Sequence, residues 1–209
     1  MTELIYEYGH DSDTKIFTLF SETDIREVDG EYIPVICALP RRIQSVFFFF
    51  QKYRVPLFSR LFDYRNLMFF YPQLIARLRR KIVRSKPDTL VVSSFAVAKN
   101  IVPATGNWQL ATTLYLHSPM QYIHTHRDEY SEKITGIKGR IFRSIAEKLR
   151  KWDTKERAYD TIIANSNYTA IQAKHIYHMS VDRVQYPPIN RTFGEQAPIL
   201  QPDNYFVYV

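Results

Sequence analysis

The residues best suited to chemistry follow three apolar runs in the second half of the chain. The runs, residues 90–94, 113–119 and 161–166, each end in polar side chains. Continuous apolar runs are typical of parallel strands that are buried on both faces. In open α/β sheets, ligands bind beyond the carboxyl ends of such strands. The sequence therefore predicts a binding site at one edge of one sheet, lined by Ser93, Ser94, His117, Ser118, Asn165 and Ser166.

His117 is the strongest candidate for a catalytic group at this edge. A histidine can accept or donate a proton near neutral pH, and it can also bond a phosphate or a hydroxyl group. The alternative interpretation is a structural histidine whose ring bonds a backbone carbonyl. The position of His117 in the sequence is compatible with both roles.

The serines and the asparagine at the same edge precede expected helices. A helix N-terminus offers backbone N–H groups to an anion. Serine and asparagine are also among the preferred N-cap residues, so capping explains Ser93, Ser94, Asn165 and Ser166 equally well. Lys99 follows the first run closely enough to reach the same edge, and it is a further candidate for substrate binding.

Metal and cofactor sites are not predicted. His124 and His126 alternate in a polar loop without a third ligand at matched spacing, which favours a solvated loop. The single cysteine, Cys37, excludes an internal disulfide and fits a reducing compartment. There is no glycine-rich dinucleotide fingerprint, no phosphate-binding loop and no paired-cysteine zinc motif.

Length and composition indicate one domain of ordinary to large size. The chain has 209 residues, of which 45% are hydrophobic, so it can form a sizeable core. The first residues lack a signal peptide, and the longest apolar run is too short to span a bilayer. These features predict a cytoplasmic protein, either soluble or at a membrane surface. The net charge of +7 favours an anionic partner.

The segment of residues 41–84 mixes arginines with aromatic residues, and it allows three interpretations. Arginines and aromatics can bind single-stranded nucleic acid, but no nucleic-acid-binding motif supports that. A basic face beside apolar residues can lie on an anionic membrane. The third interpretation places the phenylalanines in the core. We favour a core with a contribution to membrane contact from the predicted helix 73–84, through Arg77, Arg79 and Arg80.

The remaining elements follow from hydrophobic periodicity. Residues 15–20 and 184–186 are predicted strands, and helices are predicted at 2–8, at 137–157 and after Ser166. The domain is expected to span residues 1–188. A linker at 189–204 and a new strand at 205–209 follow it.

The order of these motifs resembles the N-terminal domain of family 4 glycosyltransferases. The likeness covers nearly the whole chain and is densest over residues 87–188. It rests on Pro87-Asp88, Val92-Ser93-Ser94, Ala98-Lys99, Tyr115-Leu116-His117-Ser118-Pro119, Tyr122, Tyr130, Asp153, Ala164-Asn165-Ser166, Tyr177 and Tyr186-Pro187-Pro188. The resemblance implies a Rossmann-like parallel sheet with flanking helices, the N-terminal half of a GT-B architecture.

The resemblance also implies an activity. In that family the N-terminal domain mainly binds the acceptor, while a C-terminal domain holds a nucleotide sugar. Transfer usually retains the anomeric configuration and needs no metal cofactor. His117 matches the histidine that lies near the transferred sugar, while Ser93, Ser94, Asn165 and Ser166 match polar residues at the other strand ends.

The chain departs from the family at both ends. The first strand with its glycine-rich loop is expected to be missing, and residues 205–209 are expected to be the first strand of a donor-binding half. The expected function is therefore the acceptor-side domain of a retaining glycosyltransferase that uses a lipid- or polysaccharide-linked acceptor and is inactive alone. Two alternatives remain: a non-catalytic binding module with the same fold, and a membrane-surface protein.

Overall fold

The computed structural model describes residues 14–28, 30–52, 68–105, 108–125 and 136–187. The predicted helix 2–8, linker 189–204 and strand 205–209 lie outside the described residues. So does His126.

A four-stranded parallel sheet forms the centre of the fold. Its strands are β4 (Thr89–Ser94), β5 (Ala111–Leu116), β6 (Thr161–Ala164) and β7 (Arg183–Val184). They lie side by side in chain order, and every pair is parallel. Helices connect and flank the strands, as in Rossmann-like folds. The predicted α/β class and the parallel sheet are therefore confirmed.

A smaller sheet precedes it in the chain. Its strands are β1 (Ile16–Thr18), β2 (Ile25–Val28) and β3 (Glu31–Cys37), in the order β1-β3-β2. Strand β1 was predicted from the sequence, but the antiparallel hairpin of β2 and β3 was not. Gly30 has a φ of 82°, a left-handed value that suits a glycine in a tight turn. The dipeptide Asp29-Gly30 between two β-rich runs was the available signal.

Four α-helices complete the described fold. They are α1 (Arg41–Lys52), α2 (Tyr71–Ser85), α3 (Gly136–Asp153) and α4 (Asn167–Tyr177). A short 3₁₀ turn, Ala98–Ile101, follows β4. The predicted helices at 73–84 and after Ser166 are confirmed, and the helix predicted at 137–157 ends four residues earlier. Helix α1 was not predicted, although its apolar residues recur at helical spacing.

Helix α2 supplies much of the core through one face. Tyr71, Leu74, Ile75, Leu78 and Ile82 are buried, and they recur at the three- and four-residue spacing of a helical stripe. Lys86 ends the helix in a left-handed conformation, immediately before Pro87. The same core contains residues from the parallel sheet and the other helices, including Val92, Leu114, Leu116, Ile162, Leu149, Ala173 and Tyr177.

The aromatic residues of the segment 41–84 do not all enter the core. Phe49 is 54% exposed, and Phe69 and Phe70 are 38% and 57% exposed. The expectation that the phenylalanines of residues 41–84 form core is therefore wrong for these three. Cys37 is half-buried. Among the described helices, none is long and apolar enough to cross a bilayer.

Candidate functional site

The carboxyl ends of three parallel strands lie side by side. Ser94 pairs with Leu116, and Leu116 pairs with Ala164. The ladder continues one residue further, because the His117 N–H donates to the Ser94 carbonyl (2.9 Å) and the Asn165 N–H donates to the Leu116 carbonyl (3.0 Å). The polar residues that follow these strands therefore share one edge of the sheet, which is where parallel sheets bind ligands.

His117 contacts Ser93 directly at this edge. The Nε2 atom of His117 lies 2.8 Å from the Ser93 hydroxyl. The Tyr115 ring stands edge-on to the imidazole, with ring centroids 4.8 Å apart. Burial lowers the pKa of His117 below its ordinary value of 6.5, which favours the neutral form of the ring. A neutral imidazole held in this way can act as a base or bond a hydroxyl group.

Ser166 caps helix α4, as one of its two interpretations expected. Its hydroxyl accepts from the Thr169 N–H (3.1 Å), and its backbone is extended as an N-cap requires. The Thr169 hydroxyl in turn donates to the His117 carbonyl (3.0 Å). The start of α4 is thereby tied to the residue that follows β5. Asn165 lies beside Ser166, and its Oδ1 accepts from the Ser166 hydroxyl at 3.2 Å.

Five of the predicted site residues are half-buried at the edge, namely Ser93, His117, Ser118, Asn165 and Ser166. The other two, Ser94 and Lys99, have no exposed surface. The Ser94 hydroxyl accepts from the Lys99 N–H (3.0 Å), and so it is bonded to the 3₁₀ turn. A ligand at the edge does not contact these two side chains in this conformation, which corrects their predicted place on the rim.

Lys99 belongs to a buried network centred on Asp153, the last residue of α3. The carboxylate accepts four hydrogen bonds, two on each oxygen. Oδ1 accepts from Asn100 Nδ2 (2.6 Å) and from Lys99 Nζ (3.0 Å). Oδ2 accepts from the Tyr177 hydroxyl (2.8 Å) and from His124 Nε2 (2.9 Å). Asp153, Asn100 and Lys99 have no exposed surface, and Tyr177 is 1% exposed.

The ammonium of Lys99 is fully bonded inside this network. Besides the Asp153 carboxylate, it donates to the Asp153 carbonyl (2.5 Å) and to Asn100 Oδ1 (3.3 Å). It also lies 3.8 Å from the centroid of the Tyr177 ring, close enough for a cation–π interaction. Burial lowers the pKa of Lys99 to about 8, although the Asp153 charge acts in the opposite direction.

The donors around Asp153 keep its carboxyl group ionised. Burial alone raises the pKa of Asp153, but the His124 hydrogen bond, the Lys99 charge and the Asn100 hydrogen bond outweigh burial and lower the pKa to about 2. A carboxylate at a helix C-terminus also faces the negative end of the helix dipole. The ionised state of Asp153 therefore depends on the surrounding hydrogen-bond donors.

This network was not predicted from the sequence. His124 was assigned to a solvated loop, which is wrong, because the His124 side chain is 6% exposed and bonds Asp153. One signal was available, since Asp153 lies four residues after the buried Leu149, on the core-facing side of an amphipathic helix. A carboxylate in a core position needs partners.

The outer face of α2 carries a basic groove. Its volume is about 460 Å³, and it is lined by Gln73, Arg77, Arg80, Lys81 and Arg84. Arg79, predicted with Arg77 and Arg80 to contact a membrane, instead donates to the carbonyls of Asn100 (2.8 Å) and Ile101 (2.5 Å). Arg79 therefore links α2 to the 3₁₀ turn, while Arg77, Arg80 and Arg84 are exposed.

Over the residues that the structure describes, no group of three or more histidine, cysteine or acidic side chains could hold a metal ion. Comparisons with known protein families, with curated proteins and with solved structures found no match. The fold and the site therefore define a general structural class but not a protein family. The chain is an α/β protein with a parallel sheet, a polar site at the carboxyl edge of that sheet and a basic groove on a flanking helix.

Proposed function

We propose that this chain is the acceptor-side domain of a retaining glycosyltransferase of the GT-B type. The observation that supports it best is the Ser93–His117 pair at the carboxyl edge of the parallel sheet. The edge offers half-buried hydroxyl, amide and imidazole groups, which suit the hydroxyls of a sugar. The order of motifs along the chain is also the order found in the glycosyltransferase family that the sequence resembles.

In this proposal His117 contacts the sugar being transferred. Ser93, Ser118, Asn165 and Ser166 line the edge with it, while Ser94 and Lys99 support the edge from below. A second domain binds the nucleotide sugar, and the acceptor is linked to a lipid or a polysaccharide. The chain uses no metal cofactor, acts at the cytoplasmic face and transfers no sugar without the donor-binding domain.

Replacing His117 tests the proposal. We expect His117→Ala, in a chain joined to the donor-binding half of a family 4 glycosyltransferase, to lower kcat by about 10²-fold, because a hydrogen bond to the transferred sugar is lost. The measurement is release of nucleotide diphosphate with time. His175→Ala is the matched control, since His175 is exposed on α4. Equal turnover in both variants would favour the alternative, a non-catalytic binding module.

The basic groove of α2 favours a second candidate function, binding to an anionic membrane surface. Four cationic side chains line the groove, and the helix has no acidic residue in its sequence YPQLIARLRRKIVRS. Val83 on the same helix is 53% exposed, and Phe69 and Phe70 just before it are also exposed. A cationic face beside exposed apolar side chains suits phospholipid head groups.

Sedimentation with vesicles of phosphatidylserine and phosphatidylcholine tests this second candidate. Neutralising Arg77, Arg80 and Arg84 together to Gln should weaken binding by about 3 kcal/mol, since each basic residue near the surface contributes about 1 kcal/mol. The control neutralises three exposed basic residues of α3, namely Arg140, Arg143 and Lys148. Equal losses in both triple variants would assign binding to net charge, and no binding by the unmodified chain would exclude it.

A further inference from the structure

The carboxylate of Asp153 connects the two segments that follow β4 and β5, the strands at whose carboxyl ends Ser93 and His117 lie. Its Oδ1 atom bonds Lys99 and Asn100, which belong to the segment after β4. Its Oδ2 atom bonds His124, which belongs to the segment after β5. The two oxygens of one side chain therefore serve two neighbouring segments of the site.

Tyr177 extends the second connection toward His117. Its hydroxyl donates to Asp153 Oδ2 (2.8 Å) and accepts from the Met120 N–H (3.4 Å). Met120 is buried three residues after His117. The segment after β5 is thus bound to Asp153 directly through His124 and indirectly through Tyr177.

The segment after β4 is also held in place by hydrogen bonds. The Lys99 N–H donates to the hydroxyl of Ser94, the neighbour of Ser93. The Lys99 carbonyl also accepts from the Tyr159 hydroxyl (2.7 Å), which anchors this segment from another side. Ser94, Lys99 and Asp153 have no exposed surface, so water cannot readily replace the bonds between them.

We propose that Asp153 is the positioning residue of the sheet-edge site: by bonding the segments after β4 and β5 at once, it sets the placement of Ser93 against His117. This positioning role depends on the geometry of the site alone, whether or not the site acts in sugar transfer. Asp153 lies beneath the site and is not a catalytic residue.

The test is an NMR titration of the His117 ring in the unmodified chain and in two variants. Asp153→Asn replaces one carboxylate oxygen, which accepts two hydrogen bonds, with an amide NH₂ group that can only donate. Tyr177→Phe removes only the hydroxyl that bridges Asp153 Oδ2 and the Met120 N–H. We expect both variants to shift the His117 ring signals. We also expect the pKa of His117 to rise toward its ordinary value of 6.5, because a loosened ring is less buried.

The control is Asp160→Asn. Asp160 accepts from the Thr112 N–H (2.7 Å) and hydroxyl (2.9 Å) at the opposite edge of the same sheet. We expect the His117 titration of the Asp160→Asn variant to match that of the unmodified chain. A variant that only lowers stability leaves the native-state pKa of His117 in place, which separates positioning from a purely structural role.

Unchanged His117 signals and pKa in a folded Tyr177→Phe or Asp153→Asn chain would overturn the proposal. If Asp153→Asn does not fold, the Tyr177→Phe result decides alone. The experiment needs neither substrate nor turnover, so its outcome is distinct from that of His117→Ala in the joined enzyme.

Discussion

Replacing Asp153 with Ala should destabilise the protein by about 3–5 kcal/mol, because the substitution leaves the buried Lys99 ammonium without its counter-ion. Lys99 has no exposed surface and cannot reach water without opening the core. Asn100, His124 and Tyr177 also lose the acceptor that they share. The measurement is the free energy of unfolding from denaturant titration at pH 7.

Two further variants make this result specific. Asp160→Ala also removes a carboxylate that accepts two hydrogen bonds, but Asp160 is exposed at the amino-terminal end of the sheet. We therefore expect a clearly smaller loss of stability. Adding Lys99→Met to Asp153→Ala should restore part of the lost stability, because no buried cation then remains. A double variant less stable than Asp153→Ala would contradict the explanation that an unpaired charge causes the loss.

Acid should remove a stabilising contribution of about 2–3 kcal/mol that comes from Asp153 alone. The folded protein lowers the pKa of Asp153 from 3.8 to about 2, and each pKa unit corresponds to about 1.4 kcal/mol. Between these two values the unfolded chain binds a proton that the folded chain does not. The contribution is therefore complete above pH 4 and is lost as the pH falls toward 2.

The acid effect is measured by comparing the free energy of unfolding at pH 5, 4 and 3 in two proteins. The Asp153→Asn chain, already less stable, should lose less stability over this range than the unmodified chain, since the other carboxylates are common to both. Parallel pH curves would show that Asp153 does not have a lowered pKa. Lys99 affects stability at high pH instead. Burial lowers the pKa of Lys99 from 10.5 to about 8, so its contribution to the free energy of unfolding rises with pH between these two values.

The sequence alone determined the parallel sheet and the place of its polar edge. The strands β4, β5 and β6 are apolar runs, and α2 repeats buried residues at helical spacing, so short-range patterns were sufficient for both. The shared edge followed from the rule that parallel strands end on the same side. Ser93, His117, Ser118, Asn165 and Ser166 accordingly lie together.

The tertiary structure decided which of the polar residues face outward. Lys99 meets Asp153 across 54 positions of sequence, and Arg79 meets the carbonyl of Ile101 across 22. An isolated lysine or arginine is expected on the surface, because burial costs free energy unless a partner compensates it. Those partners lie on other elements, and no local pattern connects them.

The same reason explains the exposed phenylalanines and the buried His124. Whether Phe49 is covered depends on which element packs beside α1, and the environment of His124 depends on the C-terminal end of α3. Local patterns specify elements because backbone geometry and periodicity act over a few residues. The pairing of charges is specified only when the elements pack, and for this protein that step places Asp153 beneath the site.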